Sequence, residues 1–208
     1  MKIQTFDIRG PLLVIPKLFK DERGYFYESF RVDKFNEAIG ESIKFVQDNQ
    51  SYSREKGTVR GLHYQSEPHA QGKLVRCLAG SISDVIVDVR GGSPTFGQHL
   101  CVELTGENHH QLYVPVGFLH GFSTHTADVL VSYKVTNYYA PECDGKVLWN
   151  SPTLGLNWGV SKSDAVLSEK ILMRLHLKIG KPRLNLGNQF SDRFYALKAE
   201  AGSVHSRI

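Results

Sequence analysis

The stretch KLVRCLAGSISDVIVDVR, residues 73–90, contains two strand-like segments with a glycine between them. Both segments are short and rich in Val, Leu and Ile, and turn residues bound them, which is the pattern of strands and not of a helix. The junction at Ala79–Gly80 is short and suits a tight turn. The stretch therefore predicts two neighbouring strands, residues 73–80 and 81–90.

Segments of the same kind continue on both sides of this pair. They are LLVIP (12–16), HLCVEL (99–104), QLYVP (111–115) and VLVSYKV (129–135). Turn-rich stretches such as GGSPTFG and TGENHH separate them, and no helical period intervenes. This spacing predicts an all-β protein, an antiparallel sandwich or barrel.

Helices are expected only at the periphery of this fold. The stretch VDKFNEAIG predicts a short helix with Asp33 as its N-cap, Phe35 and Ile39 on one face, and Gly40 as its C-cap. A second helix is expected after Ser168.

Composition limits the class of protein. The chain has 208 residues, of which 41% are hydrophobic, as expected for a globular domain. Its three cysteines are too few and too scattered for a disulfide framework, which favours a reducing cytoplasm. We expect no membrane span, because no apolar run approaches 18 residues.

The net charge of +4 is unevenly distributed. Residues 170–208 contain eight Lys and Arg against two Asp and Glu, whereas the rest of the chain is slightly acidic. These basic residues are dispersed, so we do not expect nucleic-acid binding.

Polar residues recur inside the predicted strands, where a barrel would otherwise place apolar ones. Tyr133 shares one face of VLVSYKV with Val129 and Val131, which points it to the interior. The other polar positions are Gln47, Asp48, Asn49, Arg60, His63, Lys73, Arg76, Asp84, Asp88 and His120. Together they predict a polar pocket in the mouth of a barrel.

The residue types in this pocket favour an anionic ligand. Arg23, Arg60, Lys73 and Lys170 could pair with phosphates, and Tyr138 or Tyr139 could stack on a base or sugar. The sequence contains neither G-x-G-x-x-G nor G-K-[ST]. It also lacks the H-x-H pattern of metal-dependent barrels, so no metal and no cofactor are expected.

At this level of detail the chain resembles the dTDP-4-dehydrorhamnose 3,5-epimerase family. The resemblance runs from about residue 3 to residue 170, and the pieces that carry it are DERGYFYESF, FVQDNQS, VRGLHYQ, AQGKLVRCLAGSISDVIVDVR, SPTFGQ, VPVGFLHGF, YKVTNYYAPE, LWNSPTLGLNW and LSEK. It implies a cupin-like jelly roll, a homodimer without metal or cofactor, and action on a nucleotide-linked 4-keto-6-deoxy sugar. The substrate it favours is dTDP-4-dehydro-6-deoxyglucose.

The resemblance also implies a role for individual residues. His63 matches the base that removes the proton beside the ketone, Tyr133 the acid on the opposite face, and Lys73 the cation that stabilises the enolate. Substrate-contacting positions of the family fall on Arg23, Glu28, Gln47, Asp48, Asn49, Arg60, His120, Tyr138, Asp144 and Lys170.

The match breaks after LSEK. The family continues with an aspartate that orients the catalytic histidine, whereas Lys170 is followed here by Ile171. Either another carboxylate such as Asp84 or Asp164 orients His63, or the enzyme is slowed or limited to one carbon, or a reading-frame change altered the tail. A milder difference is Asp144, where the family often has Glu. We therefore expect an epimerase domain at residues 1–170 and a basic tail, not family-like, at 171–208.

Three alternatives to this function remain open at the level of sequence. The protein could be a C3- or C5-only epimerase on a dTDP-, CDP- or GDP-linked sugar. It could be a nucleotide-sugar binder without catalysis. It could also be a metal-dependent oxygenase on a similar barrel.

Overall fold

The computed structural model describes residues 1–168, and these form two antiparallel sheets packed face to face. The prediction of an all-β, jelly-roll-like architecture is confirmed. Every pairing between the named strands is antiparallel, as in a jelly roll.

From residue 47 onward, most successive strands belong to different sheets. The six-stranded sheet has the order β1 (Lys2–Thr5), β2 (Leu12–Ile15), β10 (Gln111–Val114), β7 (Lys73–Ala79), β12 (Val129–Val135) and β5 (Gln47–Ser53). The five-stranded sheet has the order β13 (Asp144–Lys146), β6 (Val59–Gln65), β11 (Phe118–Thr124), β8 (Ser81–Asp88) and β9 (His99–Thr105). A separate hairpin consists of β3 (Phe19–Asp21) and β4 (Gly24–Phe26).

The apolar core fills one part of the space between the sheets. Val75 and Val131 reach it from the six-stranded sheet, and Ile82, Ile86 and Phe122 reach it from the five-stranded sheet. All are buried, and each occupies an alternate position of its strand, as period two requires. Polar side chains occupy the remaining space on the same inner faces.

The outer faces of both sheets are also covered. The chain from 147 to 167 lies over the five-stranded sheet, where Trp149 and Trp158 pack with Val85 and Val87. Helix α1 (Val32–Ile39) covers the six-stranded sheet through Phe35. Both sheets are thus packed on their outer faces as well as against each other, which makes the walls of the site between them rigid.

Helix α1 departs from prediction at its first turn. Its N-cap is Arg31, not Asp33, because the Asp33 carboxylate accepts hydrogen bonds from the Arg31 guanidinium instead of capping the backbone. Its C-cap is Gly40 in the left-handed region, as predicted. The helix expected after Ser168 lies outside the described residues, and in residues 1–168 we find no helix with the length and apolarity needed to cross a membrane.

Candidate active site

A cavity of about 340 Å³ opens between the two sheets and is lined by polar side chains from both. The predicted residues His63, Lys73 and Tyr133 all line it. The complete lining is Gln47, Asn49, His63, Tyr64, Gln65, Gln71, Lys73, Tyr133, Tyr139 and Asp144. Because β6 belongs to one sheet and β7 and β12 to the other, His63 faces Lys73 and Tyr133 from the opposite wall.

A bulge in β6 decides which way His63 points. His120 pairs with His63 and Phe122 pairs with Arg60, so two residues of β6 oppose the single residue Gly121. In a regular strand, residues 60 and 63 would point to opposite faces of the sheet, and the bulge puts them on the same face. A Cβ at Gly61 would lie 2.6 Å from the Cα of Gly121, and its φ is +115°, so only glycine fits there.

His63 lies in a dry and electropositive part of the cavity. Burial lowers its pKa well below the ordinary value of 6.5, and the charges of Lys73, His120 and Lys146 lower it further. Its imidazole is therefore neutral at physiological pH. A neutral imidazole can accept a proton, which is what a general base must do.

Asp84, proposed from the sequence as a partner of His63, binds His120 instead. Both of its carboxylate oxygens lie 3.0 Å from Nε2 of His120, and both residues are buried. The other candidate, Asp164, accepts a hydrogen bond from the Ser161 hydroxyl, in an exposed loop. Neither expectation was right: within residues 1–168 no side chain hydrogen-bonds the His63 ring.

His120 pairs with His63 across β11 and β6, and therefore lies beside it in the five-stranded sheet. The ring centroids are 5.9 Å apart and the rings are nearly perpendicular. The Nδ1 atom of His120 is buried and has no hydrogen-bond partner among the described residues. A buried ring nitrogen without a partner is costly, so it is suited to meet a polar atom of a ligand.

Lys73 brings a buried positive charge to the cavity. It is 6% exposed, and burial lowers its pKa to about 8, although Asp84 and Asp144 oppose this shift. The ammonium is thus still largely charged at pH 7. A fixed cation in a water-poor site stabilises a developing oxyanion far better than it would in water.

Tyr133 is partly buried on the inner face of β12, as the period-two pattern predicted. Burial raises the pKa of its hydroxyl, and the nearby Arg60 charge lowers it. The Arg60 guanidinium is held by two hydrogen bonds. Its Nε donates to Ser53 Oγ at 3.1 Å, and its Nη2 donates to the Tyr52 carbonyl oxygen. The phenol therefore keeps its proton at neutral pH and can donate it.

The structure brings together some of the predicted substrate-binding residues but not all. Gln47, Asn49 and Asp144 line the cavity, and Gln47 Nε2 donates to Asn49 Oδ1 at 2.7 Å. Asp48 points out of the sheet and pairs with Lys134 at 2.9 Å. Tyr138 is 63% exposed, and the neighbouring Tyr139 lines the cavity instead.

Arg23 and Glu28 lie away from the cavity of their own chain. Arg23 is at the turn of the β3–β4 hairpin, with 90% of its side chain exposed, and pairs with Asp21. Glu28 pairs with Lys34 at 3.2 Å. Lys170 and Ile171, like the predicted tail, lie outside the described residues.

Sequence reasoning missed several lining residues. Tyr64 and Gln65 continue RGLHYQ, and Gln71 precedes Lys73 by two positions, so a period-two count from His63 and Lys73 finds both glutamines. Gln65 also ties the loop above the cavity, since Nε2 donates to the Tyr138 carbonyl and Oε1 accepts from the Ala140 backbone.

A larger hollow of about 490 Å³ lies between α1 and the adjoining edge of β5 and contains none of the three predicted catalytic residues. Asp48 and Lys134 line it together with aromatic and aliphatic side chains. In the described part of the chain, no group of three or more His, Cys, Asp or Glu side chains is arranged to hold a metal ion.

Comparison with known proteins gives one consistent family. A profile described as dTDP-4-dehydrorhamnose 3,5-epimerase matches residues 5–176. The enzyme of that name from Salmonella typhimurium is 50% identical over 151 residues, which is 73% of this chain and 82% of the relative.

Solved structures agree with the sequence comparison. The dTDP-4-dehydrorhamnose 3,5-epimerase of Elizabethkingia anophelis has a TM-score of 0.79 at 44% identity, covering 82% of this chain and 93% of the other. A 3,5-epimerase from Legionella pneumophila, solved with dTDP-4-keto-L-rhamnose, has a TM-score of 0.78 at 45% identity. That alignment covers 83% of this chain and 90% of the other.

Proposed function

Because the chain belongs to the dTDP-4-dehydrorhamnose 3,5-epimerase family, we propose that it inverts C3 and C5 of dTDP-4-dehydro-6-deoxy-D-glucose, giving dTDP-4-dehydro-L-rhamnose. One observation carries the proposal: a neutral histidine on one wall of the cavity faces a buried lysine and a protonated tyrosine on the other. These are the groups that a proton transfer beside a ketone needs.

The first step is removal of a proton from the carbon next to the 4-keto group. His63 takes the proton, the C–H electrons move into the C–C bond, and the ketone oxygen becomes an enolate oxygen. His63 is suited to this because it is uncharged before the step. The imidazolium that forms then releases its proton to solvent before the second carbon reacts.

The enolate requires a positive partner near its oxygen. Lys73 is charged and buried, and its side chain lines the cavity. In a dry site one such charge-assisted contact contributes about 3 kcal/mol to the barrier difference.

Inversion requires the new proton to arrive from the other face of the sugar. Tyr133 is on the sheet opposite His63, and its phenol donates to the carbon as the enolate collapses back to the ketone. The phenolate then recovers a proton from water. Substrate and product are isomers and only protons move, so the reaction needs no oxidant and no cofactor.

We propose a homodimer in which a second copy of the chain completes the nucleotide-binding part of the site. The hairpin that carries Arg23 exposes Phe19 (54%), Tyr25 (55%) and Phe26 (70%), an apolar surface that a second copy would bury. Arg23 and Glu28, which do not reach their own cavity, would then contact the substrate of the partner. Sedimentation or light scattering of the wild type and of a Phe26→Ser variant tests this expectation, and a wild-type monomer would refute it.

We place the enzyme in the cytoplasm, where its nucleotide-sugar substrate would be available. Cys77, Cys101 and Cys143 are all unpaired, which suits a reducing compartment.

The experiment that tests the function is proton NMR of dTDP-4-dehydro-6-deoxyglucose with the enzyme in deuterated water. Both the C3 and the C5 proton signals should disappear as product forms. The His63→Asn variant should retain its fold by circular dichroism and lose exchange by at least 10²-fold. Unchanged exchange in His63→Asn would refute the assignment of the base.

Epimerisation at a single carbon is the second candidate. It is favoured by the His63 ring, which no described residue orients through a hydrogen bond, so the base is less firmly placed for two successive positions. Loss of only one of the two signals in the same NMR experiment would establish this activity instead.

A further inference from the structure

Lys146 is a cation on the catalytic face that neither the sequence motifs nor the comparisons assign. Strand β13 pairs with β6 so that Lys146 is directly opposite His63, and Asp144 opposite Gln65. Residues paired across an antiparallel ladder project to the same face, so Lys146 projects to the face of His63.

The register of β13 is held by Gly145, which pairs with Tyr64. A Cβ at position 145 would lie 2.2 Å from the Tyr64 ring, so any larger residue there would displace the ring that packs over β13. A shift by one residue would place Lys146 on the other face of the sheet. The position of the lysine relative to His63 is therefore determined by the strand pairing.

The ammonium group of Lys146 has a defined partner. Its Nζ lies 3.2 Å from Oδ2 of Asp144, a cavity-lining residue. The Asp144 side chain is 16% exposed and that of Lys146 is 42% exposed. Asp144 thus fixes the end of an otherwise flexible side chain at the edge of the cavity.

His63 faces an excess of positive charge from the surrounding strands. Lys73 approaches from β7, His120 from β11 with Asp84 of β8 behind it, and Lys146 with Asp144 from β13; Tyr133 of β12 is uncharged. The two carboxylates are bound to His120 and Lys146, and neither hydrogen-bonds His63.

We propose that Lys146 is a positioning residue for the base: its ammonium group, held by Asp144 opposite His63, adds to the positive charge that disfavours a protonated imidazole and so helps to set the lower pH limit of the reaction. The proposal rests on His63 acting as the base. A positive neighbour penalises the protonated imidazole, and burial of His63 acts in the same direction.

Lys146→Met removes this charge and leaves the strand pairing intact. The pH at which the His63 imidazole is half protonated should rise by about half a unit, which is the size expected for one partly exposed charge. Lys146→Arg should restore the wild-type midpoint. Lys162→Met, at an exposed lysine in a distant loop, makes the same change in net charge and should leave the midpoint unchanged.

The measurement is an NMR titration of histidine-labelled protein without substrate, with the His63 signal assigned from its loss in His63→Asn. The acidic limb of kcat/KM should move by the same amount. Lys146→Gln, which can still hydrogen-bond Asp144, serves as a second neutral variant.

An unmoved His63 midpoint in both neutral variants would overturn the proposal, and a rise in KM alone would show that Lys146 only contacts substrate. The titration needs no turnover, so it is distinct from a failure of the proposed function, which would appear as absent exchange in the wild type.

Discussion

The carboxylate of Asp84 and the imidazole of His120 form a buried pair, with both oxygens 3.0 Å from Nε2. The pair joins β8 to β11 on the inner face of the five-stranded sheet. Because Nε2 donates to the carboxylate, Nδ1 is the ring nitrogen left without a partner among the described residues. Asp84 therefore fixes the orientation and tautomer of the His120 ring.

Asp84→Asn should weaken both the fold and the reaction. We expect the free energy of unfolding to fall by about 2 kcal/mol, because a buried charge-assisted bond is replaced by a neutral one. Turnover should fall about tenfold as the orientation of His120 is lost. Urea unfolding and steady-state kinetics measure the two effects. Asp164→Asn, at an exposed aspartate, is the matched control, and an equal effect there would contradict the prediction.

The pH dependence of activity should have its upper limit near pH 8. Lys73 has a pKa of about 8, so it is charged below that pH and loses its proton above it, and enolate stabilisation declines accordingly. Lys73→Met should lower kcat/KM by about 10²- to 10³-fold and abolish this alkaline limb. Lys73→Arg should be active above pH 9. An unchanged limb in Lys73→Met would assign it to another group.

Tyr133→Phe should separate proton removal from inversion. His63 still takes the proton and returns one from its own face, so deuterium should enter the substrate with retained configuration. Formation of the inverted product should fall by about 10²- to 10³-fold, since only the delivery of the second proton is lost. NMR in deuterated water follows both processes in one sample. Equal loss of exchange and inversion would show that Tyr133 is needed before the enolate forms.

Asp88 should stabilise the fold without affecting the reaction. It is fully buried and accepts bonds from Arg90, Ser93 and Thr95 at 2.6–3.0 Å. Burial alone would raise its pKa, but these bonds outweigh burial and hold the pKa well below its usual range.

The stabilisation by Asp88 should therefore be present above pH 4 and decline as the pH falls toward the pKa of the folded state. Asp88→Asn should lose about 3 kcal/mol at pH 7 and less at pH 3, as measured by urea unfolding at both values. If the variant lost the same unfolding free energy at both pH values, the charge of the carboxylate would not contribute to stability.

Patterns of period two predicted the parts of the fold that depend on single strands. The segments at 73–80 and 81–90 were found as β7 and β8 within one or two residues of their predicted ends. Tyr133 points inward with Val129 and Val131 as expected, because burial of the valines fixes the phase of the whole strand.

Features that depend on pairing between distant strands were not predictable in the same way. The bulge that gives Arg60 and His63 a common face requires knowledge of β11, and the Asp84–His120 pair requires the register of β8 against β11. Asp33 failed as an N-cap because Arg31 competed for its carboxylate. Arg23 was expected in the pocket but lies exposed at the turn of the β3–β4 hairpin, because a motif match does not say where that hairpin packs.

The strand order has a consequence for how the chain folds as it is synthesised. Strand β6, which carries His63, ends at residue 65, and its neighbours β11 and β13 begin only at residues 118 and 144. The RGLHYQ segment is thus synthesised long before either partner strand. Until then its backbone groups are unpaired and, like Leu62, exposed to water. Such non-local pairing slows folding and invites wrong strand partners. The strand that carries His63 is therefore one of the last elements to be completed. Conditions that slow synthesis or raise protein concentration should reduce the yield of active enzyme before they affect its stability once folded.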